Sequence, residues 1–258
     1  MKKFILILLI TVFSQLYSGP IFAEGSVLVW PIFQNIEADQ QGTELWLENR
    51  GNQSVHMQVR ILSWHQDNGK DRYADQSNII ASPPFATIMP KQRQLIRLIR
   101  VTAPPVSGEQ AFRIILDELP DTAVPAERSG AGLVLQMRYV LPLFTYASGV
   151  WTQQRLDRPG RSSRVTEPRL NWSLVDVNGK HILQIHNSGN VHARLTNVYW
   201  SSSSASEKGK LQLAKGLLGY ILPGQSMRFA LPSGRSIPSG AKLYAHIAEN
   251  GPPVEINK

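Results

Sequence analysis

Apolar residues recur at every second position in short segments along this chain, broken by Gly, Pro, Asn and Ser, and this period of two is much clearer than any helical period. Such alternation gives each segment one face for a core and one for water, as in half-buried β-strands. Thr43, Leu45 and Leu47 point one way, and Glu44 and Glu48 the other. Val55, Met57, Val59 and Ile61 alternate with His56, Gln58 and Arg60, and Asp67-Asn68-Gly69 supplies a hairpin turn, because Asn and Gly tolerate positive φ. Further strands are expected at Gln94 to Val101, Ala111 to Leu119 and Leu133 to Phe144, at the spacing of a β-sandwich.

The second half repeats the style without repeating the sequence. Asn171 to Val177 and His181 to Asn187 flank the hairpin signal Asn178-Gly179, and strands follow at Val191 to Trp200, Leu211 to Leu213, Ser226 to Leu231 and Lys242 to Ala248. Thr145 to Pro168 carries Gly149, Pro159, Gly160 and four arginines with little apolar pattern, and reads as a linker. The expected organisation is a leader over 1–23, a first domain over 24–147, and a linker with a second domain over 148–258. Gln92 to Val101 has a competing reading as an amphipathic helix, since Arg93, Arg97 and Arg100 fall at i, i+4 and i+7. Its flanking Pro90 and Pro104-Pro105, and its isoleucines, favour a strand.

The leader reading rests on Lys2 and Lys3, the apolar run Phe4 to Phe13 and the small-residue site ending at Ala23, which together have the form of a secretory signal peptide. The run is short for a bilayer span and no later run of that length follows, so export without stable membrane insertion is expected. The chain has no cysteine, which removes disulfides, thiolate zinc sites and thiol catalysis together and suits an oxidising compartment. Its formal net charge is +8, but the basic residues are spread over both halves rather than clustered with aromatics, so nucleic acid is not an expected partner.

Catalytic and metal-binding patterns are missing. His181 and His186 are an odd number apart and face opposite ways on one strand, and no nucleophile elbow, zinc-protease helix or phosphate loop occurs. The neighbours Asp117 and Glu118 take opposite faces of a strand, so they do not make a carboxylate pair. The informative stretch is Gly130 to Phe144: Leu133, Leu135 and Met137 share one face, and Val134, Gln136 and Arg138 the other. Pattern alone leaves two readings, a core strand facing inward or an exposed functional edge.

Motifs spread in order along the chain resemble the periplasmic PapD-like chaperones of the chaperone-usher pilus pathway. Glu48-Asn49-Arg50-Gly51-Asn52 resembles the family's turn before a strand ending in tryptophan, here Trp64. Ala81-Ser82-Pro83-Pro84-Phe85 with Ile88-Met89-Pro90 is similar to its proline-rich fourth-strand signature. Ala111-Phe112-Arg113 through Asp117-Glu118-Leu119-Pro120 resembles its sixth strand, and Leu218 to Gly224 its Tyr-x-Leu-Pro-Gly turn. The resemblance implies an all-β fold of two immunoglobulin-like β-sandwich domains set at an angle. It implies a non-enzymatic assembly chaperone that uses no cofactor and no metal, binds pilus subunits by lending them its seventh strand, and hands them to an outer-membrane usher.

Carried over by position, the donor residues are Leu133, Leu135 and Met137. The better-known branch holds the subunit's C-terminal carboxylate with an Arg on the first strand and a Lys on the seventh. Here Val29-Trp30-Pro31-Ile32 has no Arg and Pro142 stands at the Lys position, which, with the missing cysteines, looks more like the archaic branch. Arg113 and Arg138 are the candidate replacements, with local pairing as their alternative role. Glu118 matches the family's acidic interdomain residue, Glu249 is its candidate counterpart, and the linker arginines Arg155, Arg158 and Arg161 are available between them. A secreted β-sandwich adhesin or binding module is the alternative to the chaperone, and a secreted hydrolase of unrecognised type is a third reading.

Overall fold

In a computed structural model that describes residues 27–120, 136–152, 165–202, 210–232, 236–247 and 251–258, the runs of alternation become strands. The expected leader therefore lies outside the described residues. The first half carries β1 (Val27–Trp30), β2 (Gln34–Ile36), β3 (Gly42–Asn49), β4 (Val55–Asp67), β5 (Lys70–Ala74), β6 (Ile79–Ser82), β7 (Phe85–Ile88), β8 (Arg93–Arg100), β9 (Glu109–Leu119) and β10 (Arg138–Tyr146). The second carries β11 (Leu170–Val177), β12 (Lys180–Asn187), β13 (Ala193–Ser201), β14 (Leu211–Gln212), β15 (Leu217–Ile221), β16 (Ser226–Ala230), β17 (Lys242–His246) and β18 (Val254–Ile256). No helix occurs among the described residues.

Two sandwiches result. The first packs the sheet β1-β3-β8-β6 against β2-β10-β9-β4-β5, with β7 also paired to β4. The second packs β11-β12-β16 against β14-β13-β17-β18, with β15 paired to β13. Each has its own apolar core, one around Leu45, Leu47, Met57, Ile96, Ile114 and Leu143, the other around Trp172, Ile185, Leu195, Trp200 and Leu243. The arginine-spaced segment is the strand β8, because Ile96 and Leu98 enter the core while Arg93 and Arg97 face solvent. Arg100 is an exception: it is buried and donates to the carbonyls of Glu37, Ala38 and Gln40.

The last strand of the first sandwich runs into the segment from Thr145 that reads as a linker. Thr145 and Tyr146 remain in β10, buried and opposite Gln110 and Glu109. Beyond them, Thr152 still donates its N–H and hydroxyl to Oε1 of Glu37 on the first sandwich.

The two halves do share a sequence element. Asn49-Arg50-Gly51-Asn52 and Asn187-Ser188-Gly189-Asn190 follow the same pattern, as do Pro90-Lys91-Gln92 and Pro223-Gly224-Gln225. Each leading Asn is fully buried. Nδ2 of Asn49 donates to the carbonyls of Gln53 and Ile88, and Nδ2 of Asn187 to those of Val191 and Ile221. Both Oδ1 atoms accept the N–H of the following glycine, Gly51 or Gly189. Both backbones then pair across the Pro-x-Gln turn, Asn49 with Lys91 and Gln92, and Asn187 with Gly224 and Gln225.

A third apolar cluster joins the sandwiches: Trp64, Ala111, Phe144 and Tyr146 from the first, Val191, Tyr220 and Leu222 from the second. Glycines mark two of the closest approaches. Gly69, at φ +73° in the β4–β5 turn, bridges to Met227, and a Cβ there would lie 2.5 Å from Cγ of Arg228. Gly108, at φ +60°, would bring a Cβ to 3.0 Å from the Asn190 carbonyl oxygen.

Candidate functional site

Sheet order leaves one edge open. β10 pairs with β9 over its whole length, but β2 covers its other side only from Leu143 to Thr145, in parallel register. From Arg138 to Pro142 that side has no strand partner among the described residues. The N–H of Glu118 donates to the Met137 carbonyl at 2.9 Å, and at the other end the N–H of Ala147 donates to the Gly108 carbonyl at 2.9 Å. In antiparallel pairing this turns the main chain of odd-numbered residues toward β9 and that of Arg138, Val140 and Pro142 toward the open edge. Pro142 has no N–H and occupies one of the positions where none is needed for the sheet. β1 forms the matching edge of the facing sheet, and the Tyr139 hydroxyl ties the two edges by donating to the Val27 carbonyl at 2.7 Å.

Of the three expected donor residues, Leu133 and Leu135 lie outside the described residues. Met137 is 41% exposed, and its N–H also donates to Oε2 of Glu118. It has the parity of Tyr139, Leu141 and Leu143, which pack in or against the first core, whereas Val140, of opposite parity, is 47% exposed. In this register Gln136 falls opposite Leu119, the last residue of β9.

The outer face of this sheet holds the candidate anchors. Cross-strand rows run Gln58–Asp117–Arg138, Arg60–Ile115–Val140, Leu62–Arg113–Pro142 and Trp64–Ala111–Phe144, the last row meeting the second sandwich. Arg113 and Arg138 thus share a face but lie four residues apart along it, about 13 Å. Arg138 is committed to a hydrogen-bonded ion pair with Asp117, which also accepts from Arg60 at 2.7 Å. Partial burial opposes the charged form of Asp117, but hydrogen bonds from Arg138 and Arg60 outweigh it and leave its pKa below the ordinary value.

Arg113 stands differently. Its guanidinium carbon is 3.5 Å from the Trp64 ring centroid and 5.3 Å from that of Tyr220, and its Nε is buried without a hydrogen-bond partner. Among the described residues no carboxylate lies within ion-pair distance of it. Nearby Tyr73 has its hydroxyl pKa raised by burial and then by Asp71, with the Arg113 charge pulling the other way. A half-buried cation stacked on an aromatic platform can take up a single anionic group.

The interdomain expectation needs correction. Glu118 sits at the far end of β9 from the second sandwich, about 30 Å along the strand from Glu109. Glu109 makes the interdomain contact instead. Its side chain is fully buried, and Oε2 accepts from the His192 N–H at 3.1 Å and from His192 Nδ1 at 2.7 Å. The His192 ring stacks on Phe144 at 3.6 Å and 6°. Glu249 and the arginines Arg155, Arg158 and Arg161 lie outside the described residues. Sequence reasoning missed Glu109, His192 and Gln66, since their partners are more than 80 positions away.

The family model described as pili and flagellar-assembly chaperone, PapD N-terminal domain, matches residues 34–150. No curated protein matches the chain. Among solved structures, the chain is similar to the CsuC–CsuE chaperone–tip adhesion subunit pre-assembly complex from archaic chaperone-usher Csu pili of Acinetobacter baumannii. There the identity is 30%, the match covers 90% of this chain and 99% of that one, and the TM-score is 0.71. The YadV chaperone, at 19% identity over 89% of this chain and 96% of its own with a TM-score of 0.59, shares the fold. So does the structure of Salmonella enterica SafA pilin with the SafB chaperone, at 15% identity over 93% and 99% with a TM-score of 0.58. With that 30% identity spanning nearly the whole of both chains, this protein belongs to the PapD-like family of pilus-assembly chaperones.

Proposed function

We propose that this chaperone works in the periplasm, binds an incomplete pilus subunit by strand addition along the open edge of β10, and passes it to an outer-membrane usher. The observation that carries the reading is the edge from Arg138 to Pro142, which has no strand partner among the described residues, beside the equally terminal β1. Such an edge is an aggregation hazard in a protein that has no use for it. A subunit strand added there gains main-chain hydrogen bonds, and alternate side chains supply the fit. Leu133, Leu135 and Met137 enter the subunit's apolar groove, each worth about 1.5–3 kcal/mol when fully buried. Arg113 receives the subunit's terminal carboxylate at the base of the cleft, while Arg138 keeps its pairing with Asp117. Strand pairing, apolar burial and one ion pair account for this role, so no catalytic step and no cofactor is assigned.

Affinity purification of the tagged chain from periplasm tests the reading. A small subunit should co-purify at one-to-one stoichiometry, and Leu135→Asp should abolish it by placing an unpaired carboxylate in the groove while the free chaperone keeps its β circular dichroism. Recovery of the chain alone supports the adhesin alternative. A Leu135→Asp protein that is insoluble places Leu135 in the chaperone's own core.

A further inference from the structure

We propose that the β4–β5 hairpin fixes how the second sandwich meets the first and, through Gln66 and Asp71, aims the Arg113 guanidinium into the cleft; the second half rests on the reading of Arg113 as the carboxylate anchor. The side chain of Gln66 crosses the domain boundary as a substitute for a strand. Its Nε2 donates to the Tyr220 carbonyl at 2.8 Å, and its Oε1 accepts the Leu222 N–H at 2.9 Å, so one amide brackets Ile221 as a neighbouring backbone would. The backbone N–H of Gln66 donates to Oε1 of Gln225. These groups are buried, so each lost partner leaves a polar atom unsatisfied. At the hairpin tip, Gly69 lies so close to the Arg228 side chain that a Cβ there, already at an unfavourable positive φ, would force that side chain to shift.

The same amide reaches back toward the anchor. Nε2 of Gln66 also donates to Oδ1 of Asp71 at 3.0 Å, and that oxygen accepts the Trp64 indole N–H at 2.9 Å. The indole is thereby held in the plane on which Arg113 stacks, with Tyr220 edge-on to it at 5.5 Å and 80°. Contacts therefore run from the Tyr220 backbone through Gln66, Asp71 and Trp64 to Arg113, and the Tyr220 ring closes the circuit. With no carboxylate beside it among the described residues, the guanidinium takes its direction from these rings and from the Tyr73 hydroxyl it interacts with. Paired hydrogen bonds to a carboxylate require that direction to be kept. Gln66 and Asp71 are thus positioning residues, and neither need touch the subunit.

Gln66→Met keeps the volume and removes the polar contacts. Small-angle scattering of the free mature chain should show a broadened interdomain distribution, a readout that needs no subunit. Dissociation of the co-purified subunit should accelerate about tenfold. In an Arg113→Ala background the same substitution should add little, because its effect runs through the guanidinium. An unchanged scattering distribution overturns the hairpin's role. Equal acceleration with and without Arg113 overturns the aiming of Arg113, whatever the scattering shows. If Arg113→Ala alone dissociates like wild type, the anchor reading and the aiming half fall together while the scattering result stands. Should Gln66→Met not fold, Gln225→Ala weakens the lock from the other sandwich and is read by the same criteria.

Discussion

At the scale of single residues, the paired asparagines show how much one buried amide can hold. Asn187 satisfies two carbonyls and the N–H groups of Gly189 and Arg169, and Asn49 satisfies two carbonyls and the Gly51 N–H in the first sandwich. Asn187→Asp is isosteric, but it sets a carboxylate against the Val191 and Ile221 carbonyl oxygens. Loss of about 3–5 kcal/mol is expected, as for an uncompensated buried charge, read as a lower urea midpoint beside the exposed control Asn52→Asp. Asp117 gives a pH signature instead. Its pKa is depressed in the folded state, so its contribution is complete above the unfolded value of about 3.9 and disappears as pH falls through the folded value. Asp117→Asn should therefore lower the neutral region of the stability profile slightly, as for a partly exposed ion pair, converge with wild type below the folded pKa, and so flatten the acid limb between them. A wild-type acid limb would show that the arginine pairing carries no folding energy.

At the scale of elements, the long alternating strands were legible because each has one dry face and one wet face. In β4, Val55, Met57 and Val59 are buried between half-exposed neighbours, as their spacing predicts. Short strands were less legible: β2 and β18 have three residues each, and their pairing is decided by distant partners. The repeated Asn-x-Gly-Asn and Pro-x-Gln motifs were present in the sequence, but their equivalence becomes plain only through identical hydrogen bonds. The open edge of β10 was half legible, since the apolar stretch marked it while its exposure depends on how little of it β2 covers. Its main-chain register makes a clean test. The Val140 N–H faces the open side, so Val140→Pro removes a donor that no strand of the described sheets uses, and edge positions tolerate proline. Subunit binding should fall below detection in a pull-down, with the free chaperone's thermal midpoint lowered by only a few degrees, about 1 kcal/mol. A binding-competent Val140→Pro protein would move the subunit strand to another edge.

At the scale of the whole molecule, two sandwiches serve a pilus-assembly chaperone only if their contact holds its shape. Resemblance pointed to Glu118 for that role, and the register of β9 moves the role to the opposite end of the same strand. Glu109 is the acidic residue that meets the second sandwich, with Gly108 beside it allowing the approach to Asn190. Removing its carboxylate leaves the partly buried His192 N–H without that acceptor and frees a ring that stacks on Phe144 in the interdomain cluster. A fully buried unmet donor costs about 1–3 kcal/mol and this partly buried one less, a loss that falls on the contact between sandwiches rather than on either core. Glu109→Ala should therefore broaden the interdomain scattering distribution, while Glu118→Ala should leave it as in wild type. Glu109→Gln keeps an acceptor for the His192 backbone and should lie between them. If Glu118→Ala broadens the distribution and Glu109→Ala does not, the orientation is set from the far end of β9, by groups outside the described residues.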